Sequence, residues 1–262
     1  MLSGLLPKGI FCKLVATHIH AIRKQFVGMV INLYIWAFCT LVIMGYIMQS
    51  FGLSADYGVF QFAGIVGTVG LFEIFGNVSK NIMDFEGDSH ISYNLTLPTR
   101  PWIVFGALAT FYTLVGVVLT CVLFPFGAGV LYSHFDITSV SWIKAAIMLI
   151  LANLFFAVFT LLITAYVGSM SKIRNIWARF IFPLWMLGGF QFSWAILYSI
   201  SKPLAYAVLF DPLIFIMEGC RAAILGQQEY LSWELCVIMI SIYTMLCWIA
   251  MYYRMKRLLD FV

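Results

Sequence analysis

The stretch Phe210–Gly226 reads FDPLIFIMEGCRAAILG, and the arrangement of the remaining chain depends on it. Asp211 followed by Pro212 is typical of a helix start, and Gly226 is typical of a helix end. The helix predicted between them, residues 212–225, would be about 21 Å long. That length is too short to cross the hydrocarbon core of a bilayer, which is about 30 Å thick.

The residues just before this helix, 203–210, are apolar as well. Two short apolar pieces joined at a proline predict a re-entrant hairpin over residues 203–225, which enters the membrane and leaves it on the same side. Such a segment is tolerated at membrane depth only where it is buried in protein or lines a cavity. The hairpin therefore indicates a translocation path.

The composition places the chain in a membrane. Of its 262 residues, 63% are hydrophobic and only 10% are charged, whereas a soluble domain carries about a quarter charged residues. The outer surface must therefore meet lipid. No basic stretch alternates with aromatic residues, so the sequence gives no support for nucleic-acid binding.

Six apolar runs are long enough to cross a bilayer, and they should be helical because backbone groups cannot stay unpaired in lipid. They lie at residues 27–49, 58–78, 102–124, 142–168, 180–200 and 233–253. The predicted fold is an all-α integral membrane protein with six transmembrane helices, and residues 1–262 form a single transmembrane domain.

An amphipathic helix is predicted over residues 8–25, just before the first span. Its apolar residues recur at helical spacing, while the basic ones lie elsewhere on the helix. A helix of this type rests in the membrane interface with its basic face toward anionic headgroups. The apolar positions are Phe11, Val15, Ile19, Ile22 and Phe26.

The distribution of lysine and arginine predicts the orientation. With the amino terminus inside, 12 of the 15 basic residues lie in inner segments, which is a strong positive-inside bias. Lys144, Lys202 and Arg221 are the three on the outer side. Both termini are therefore expected in the cytoplasm, with the chain in the plasma membrane (the inner membrane of a bacterium).

Glu73 lies inside the second predicted span, in its cytoplasmic third. An ionisable residue within a span is costly, which makes it a functional candidate. It could couple transport to protons. It could equally reach toward the inner interface or accept hydrogen bonds from a neighbouring helix, and the sequence leaves these interpretations open.

Glu218 and Arg221 are three residues apart on the short helix, so they can pair on one face. Near lipid either charge alone would be expensive. The pair, with Pro212 and Gly226 at the helix ends, is interpreted as a structural clasp at an outer gate, in preference to a substrate contact.

The loop after the second span contains the most acidic stretch of the cytoplasmic side, with Asp84, Glu86 and Asp88 around Gly87. It could dock on a basic surface of a cytoplasmic partner. It could also be a solvated turn. The sequence has no GxSxG, HExxH or GxxxxGK[ST] motif, so neither catalysis nor ATP hydrolysis by this chain is expected, and no metal site is predicted.

The order of these elements resembles the membrane subunit of type-2 ABC exporters. FEGDSHISYNLTLP, residues 85–98, stands where that family has its coupling helix, and FDPLIFIMEGCRAAILG is similar to its outer segment. Pro212, Glu218, Arg221 and Gly226 fall on family positions. Phe85 and Glu86 depart from the pattern, because many members carry basic residues before that glycine.

The resemblance implies a permease that pairs with a second copy and contacts a separate cytoplasmic ATPase, which binds ATP and Mg²⁺. Asp84, Glu86, Gly87 and Asp88 would form the ATPase-coupling loop. The cargo would be a lipid-linked glycan, a polysaccharide, a lipid or an amphiphilic drug. Aromatic residues that could line its path, or simply pack, are Tyr34, Trp36, Phe38, Trp185, Phe190, Phe192 and Trp194. A proton-coupled secondary transporter using Glu73 is the alternative.

Overall fold

The structure is a computed structural model, and it describes residues 7–54, 56–83, 100–167, 170–227 and 229–259. Within these ranges all regular secondary structure is helical. The helices are α1 Pro7–Val42, α2 Tyr57–Met83, α3 Pro101–Val130, α4 Trp142–Val167, α5 Met170–Ile176, α6 Phe182–Trp185, α7 Trp194–Ile200, α8 Lys202–Val208, α9 Pro212–Ile224 and α10 Trp233–Leu259. Turns of π-helix or 3₁₀ helix continue three of them, namely Ile43–Phe51 after α1, Trp177–Ile181 after α5 and Met186–Phe190 after α6.

In the part of the chain that the structure describes, five helical segments are long and apolar enough to cross a bilayer. A bent pair, Lys172–Phe190 followed by Trp194–Ile200, makes a sixth if its two halves form one span. The five are Phe11–Phe51, Tyr57–Met83, Pro101–Val130, Trp142–Val167 and Trp233–Arg257. The chain is thus a multi-pass helical membrane protein with five to six candidate spans.

The first helix differs from the expectation of two separate elements. α1 runs without a break through the boundary predicted between an interfacial helix at 8–25 and a span at 27–49. Its early residues pack on α3, where Leu14 lies in a small buried cluster with Val104 and Ala107. The predicted interfacial helix is therefore the first part of α1.

The apolar face predicted for this segment is used in that packing. Phe11 and Val15 lie against the cluster on α3, and Ile22 and Phe26 pack against the main core. Ile19 stays 45% exposed. Much of the apolar face is therefore covered by protein, because α3 supplies the partner surface.

The segment predicted as a straight fifth span, residues 180–200, is broken. The two halves of the bent pair meet at an angle of 88°. Gly189 has φ 85°, a left-handed conformation that glycine adopts without steric cost, and Ser193 starts α7 by accepting a hydrogen bond from the Ile196 amide at 3.3 Å. The bend lies where the helical hydrogen-bond ladder stops.

The short helix α9 is the most enclosed element of the bundle. Every residue from Leu213 to Ile224 is buried, and α9 packs against α2, α4, α10 and the turn Met186–Phe190. A close approach to α2 is possible at Gly67, where an added Cβ would lie 3.1 Å from the Cys220 sulfur. With 13 residues this helix is too short to cross a bilayer by itself, and it forms part of the core.

Four connections meet at one end of the bundle, which we call the upper end: those after α1, α3 and α9, and the break before α7. Ser141, just before α4, donates from its amide to the Ala223 carbonyl of α9 at 2.9 Å. At the opposite, lower end, where α2 finishes, Lys80 Nζ donates to Gln25 Oε1 of α1 at 2.6 Å.

Candidate functional site

The ends of α9 are built as the sequence predicts. The Leu213 amide donates to Asp211 Oδ1 at 2.9 Å, so Asp211 caps the helix ahead of Pro212. At the other end the Leu225 amide donates to the Arg221 carbonyl at 2.7 Å, and Gly226 follows with φ 104°. Both helix-end predictions are confirmed.

Glu218 and Arg221 form a fully buried ion pair on α9. Arg221 Nη1 lies 3.4 Å from Glu218 Oε1, and both side chains have no exposed surface. A charge this deeply buried is tolerated when its remaining donors and acceptors also find partners. The partners of these two side chains therefore decide whether the pair can exist.

Arg221 is held by the break in the bent pair. Its Nη2 donates to the Phe190 carbonyl at 3.1 Å and its Nη1 to the Phe192 carbonyl at 3.2 Å. These carbonyls lie where the chain leaves the helical ladder at the bend. The guanidinium also lies 3.6 Å from the ring centroid of Phe60 on α2, within the range of a cation–π contact.

Glu218 accepts from two other segments. Its Oε1 accepts from the Trp194 amide at 3.3 Å, at the start of α7, and its Oε2 accepts from the Leu231 amide at 3.2 Å, just before α10. The ion pair therefore joins α9 to the bend, to α2 and to the approach to α10. The sequence predicted the pairing but not these partners.

α2 approaches the ion pair closely because Gly64 faces it. A Cβ built on Gly64 would lie 3.2 Å from Arg221 Nη2 and 3.6 Å from the Phe190 ring. A side chain at position 64 would therefore push against the guanidinium. Gly64 was not among the positions singled out from the sequence.

A cavity of about 510 Å³ opens at the upper end, directly beside this ion pair. Phe60 belongs to both, since it lines the cavity and contacts Arg221. The lining residues come from all four upper connections: Ser54, Asp56, Tyr57, Val59, Phe60, His134, Phe135, Asp136, Ser139, Gln191, Phe192, Ile196, Leu225, Glu229 and Tyr230. The site therefore combines a cavity at the upper end with a buried ion pair behind its wall.

A polar network forms part of the cavity wall. The Tyr57 hydroxyl donates to Gln191 Oε1 at 2.9 Å. Gln61 Nε2 donates to the Tyr57 hydroxyl oxygen at 3.0 Å and to Gln191 Oε1 at 2.9 Å. Gln61 is fully buried. The only signal for it in the sequence is an uncharged polar residue within an apolar span, which does not reveal the direction it faces.

The surroundings shift the pKa of two side chains at the cavity rim. The hydroxyl and amide of Thr138 donate to Asp136 and hold the pKa of that carboxyl below its usual range, so it is ionised at neutral pH. Burial raises the pKa of the Tyr230 phenol to about 12. Tyr230 therefore stays neutral and keeps its hydroxyl proton.

Several predicted residues lie outside what the structure describes. Asp84, Glu86, Gly87 and Asp88 fall outside the described residues, so the coupling loop remains a sequence-based prediction. The backbone of Glu73 lies in α2, but its side chain is not among those that the structure describes.

The aromatic residues proposed for a cargo path are used mainly in packing. Tyr34 stacks on Phe126 with ring centroids 4.2 Å apart, and Trp185 lies 4.3 Å from Phe190. Trp194 donates its indole N–H to the Ala205 carbonyl. Of the set, Phe192 lines the cavity. Packing accounts for most of these aromatic side chains.

Within the described ranges, no three His, Cys, Asp or Glu side chains lie close enough together to hold a metal ion. Comparisons with protein-family models, with curated proteins and with solved structures gave no match to this chain. The resemblance to type-2 exporters therefore depends on the residues and the order of elements described above.

Proposed function

We propose that the chain is the transmembrane permease subunit of an ATP-binding-cassette exporter. It would move a lipid-linked glycan, a polysaccharide, a lipid or an amphiphilic drug, with energy supplied by a separate cytoplasmic ATPase. The resemblance carried by FDPLIFIMEGCRAAILG and by the order of elements motivates this proposal.

One observation carries the proposal, and it concerns α9. This helix is buried and, with 13 residues, too short to cross a bilayer by itself, and it lies beside a broken helix and a cavity of about 510 Å³. Irregular backbone at membrane depth is found where it is buried in protein or lines a cavity, and broken helices flank the binding sites of many transporters.

The proposed topology places the upper end outside the cell and the lower end in the cytoplasm. This follows the positive-inside rule, because 12 of the 15 basic residues then lie in inner segments. Both termini would be cytoplasmic, and the bent pair would count as the fifth of six spans. The membrane would be the plasma membrane, or the inner membrane in a bacterium.

The lower end supplies a route for coupling to the ATPase. Asp84, Glu86, Gly87 and Asp88 would dock on a basic surface of that subunit. The nearby end of α2 is linked to α1 through Lys80 and Gln25, 2.6 Å apart. Movement of the loop would therefore pass to two spans at once.

A second copy of the chain is proposed as the other half of the exporter. Large apolar side chains stay exposed along α1 and α10, which suits contact with lipid and leaves room for a partner. Val27 of α1 is 66% exposed and Met245 of α10 is 65% exposed. Lipid would cover whatever the partner does not.

The test is association with an ATPase and the energy source of transport. Affinity-tagged chain should co-purify from its native membrane with a P-loop ATPase, and the pair Glu86→Lys and Asp88→Lys should weaken the association. Glu234→Lys is the matched control, because Glu234 is an exposed acid at the start of α10, at the upper end. Equal binding by the charge-reversed loop would refute the docking role.

Export measurements separate the proposal from the alternative. Export that stops on ATP depletion but survives a protonophore supports the ATP-driven exporter. Export that stops with the proton gradient, survives ATP depletion and is lost in Glu73→Gln would instead support a proton-coupled transporter.

A further inference from the structure

The described lining residues of the upper cavity include three acids and no Lys or Arg. Asp56, Asp136 and Glu229 line it, and all three side chains are exposed. Among the lining residues that the structure describes, His134 is the one basic side chain. A cleft lined by one sign of charge concentrates ligands of the opposite sign, so the cavity attracts cations and repels anions.

The three carboxylates act through their combined field and not as a metal chelate. The described residues contain no group of three His, Cys, Asp or Glu side chains close enough to hold one metal ion. The nearest buried cation, Arg221 behind Phe60, is paired with Glu218 and adds no net charge. The negative field of the rim is therefore not cancelled from within.

Aromatic rings provide the apolar part of the same wall. Tyr57 and Phe60 have centroids 5.5 Å apart and nearly parallel planes, and Phe60 and Tyr230 are 6.5 Å apart. The faces of aromatic rings attract cations, including quaternary ammonium groups. The cavity thus offers rings for an apolar cation in addition to carboxylates.

Gln61 supports two of the lining residues from behind the wall. Its side chain is fully buried, and its amide is directed at Tyr57 and Gln191, which both line the cavity. Its Oε1 has no hydrogen-bond partner in the described part of the chain. The two hydrogen bonds that the Gln61 amide donates therefore hold the Tyr57 and Gln191 side chains in place as polar parts of the wall.

We infer that the upper cavity binds an organic cation with an apolar body, such as a quaternary ammonium or phosphonium compound. Its volume of about 510 Å³ is in the range of small-molecule sites. The idea that such a cation is the cargo of an exporter rests on the proposed function. Binding of the cation does not depend on that function, so the test measures binding in the absence of any ATPase.

The test uses the full chain in lipid nanodiscs, dialysed to equilibrium against radiolabelled tetraphenylphosphonium, with empty nanodiscs subtracted. Saturable binding is expected, and unlabelled benzyltrimethylammonium should displace the probe while benzenesulfonate should not. The triple variant Asp56→Asn, Asp136→Asn and Glu229→Gln should lower the affinity about tenfold or more, because the rim loses its charge. Glu234→Gln, an exposed acid outside the cavity, should leave the affinity unchanged.

A salt titration of the unsubstituted chain tests the role of charge in binding without any substitution. Raising ionic strength from about 50 mM to about 500 mM should weaken binding, because salt screens exposed charges. Binding no greater than in empty nanodiscs, or binding that survives the triple variant, would overturn the inference. Displacement by maltotriose and not by benzyltrimethylammonium would also overturn it and make the cavity a sugar site. Any of these results leaves ATPase association, and so the proposed function, to be decided separately.

Discussion

Arg221 Nη2 donates to the carbonyl oxygen of Phe190 at 3.1 Å, across the point where the bent pair changes direction. A side chain from one short helix thus satisfies the backbone of another helix at its break. The same guanidinium pairs with Glu218, which accepts from the Trp194 amide on the far side of the break. The bend and α9 therefore depend on each other.

Loss of one partner of the ion pair should destabilise the fold strongly. Arg221→Met leaves the Glu218 carboxylate buried without its counterion, which costs about 3–5 kcal/mol. The thermal unfolding midpoint in a single detergent should fall markedly. Lys144→Met is the matched control, because Lys144 and Glu234 lie 3.9 Å apart with 41% and 67% of their side chains exposed, and exposed pairs contribute about 0–1 kcal/mol.

A double variant distinguishes loss of the pair from loss of packing. Glu218→Gln combined with Arg221→Met removes both charges, so it should unfold at a higher temperature than Arg221→Met alone. If the double variant were no more stable than Arg221→Met alone, the unpaired Glu218 charge would not be the cause of the loss, and the lost carbonyl contacts of Arg221 would account for it.

Substitution of Gly189 should destabilise the bend. Its φ of 85° is strained for any side chain, and an added Cβ would lie 2.5 Å from Ile214 Cδ1. Gly189→Ala should therefore lower the unfolding midpoint, with a cost of about 1–3 kcal/mol. Gly129→Ala in α3 has nothing within 4 Å of the new Cβ and should be neutral. Equal stability of the two variants would contradict a rigid bend.

The cap of α9 should contribute a smaller amount. Asp211→Ala removes the acceptor of the Leu213 amide, and loss of such a cap costs about 0.5–2 kcal/mol. Asp211→Asn keeps an acceptor oxygen and should retain most of the stability. A midpoint that fell equally in both variants would show that the carboxylate charge, and not the cap, is required.

Local features of α9 could be predicted from the sequence because they involve neighbours along the chain. Asp211 and Pro212 mark its start, Gly226 marks its end, and the spacing of Glu218 and Arg221 sets their pairing. Each depends on the geometry of a single helix. These predictions needed no knowledge of what surrounds the helix.

The hydrogen-bond partners of Glu218 and Arg221 could not be predicted, because several of them lie at the break in the bent pair, and apolar composition does not reveal that break. Residues 180–200 have the hydrophobicity of a straight span, and hydrophobicity does not report a bend. The glycines at 188 and 189 are the one local signal of it. The first helix was divided at residue 26 for a similar reason, since the sequence does not show that α3 covers its early apolar face.

The last prediction concerns the two ends of the segment containing α8 and α9. If this segment is re-entrant, Lys202→Cys and Gln227→Cys should both react with a membrane-impermeant maleimide in intact cells, because both positions are exposed and α9 is about 20 Å long. Lys172→Cys, exposed at the start of the bent pair, should react only after permeabilisation. The unsubstituted chain, which has six cysteines, gives the background. Labelling of 202 and 227 from opposite sides would mean that α9 takes part in a crossing, and the orientation of α10 would then reverse.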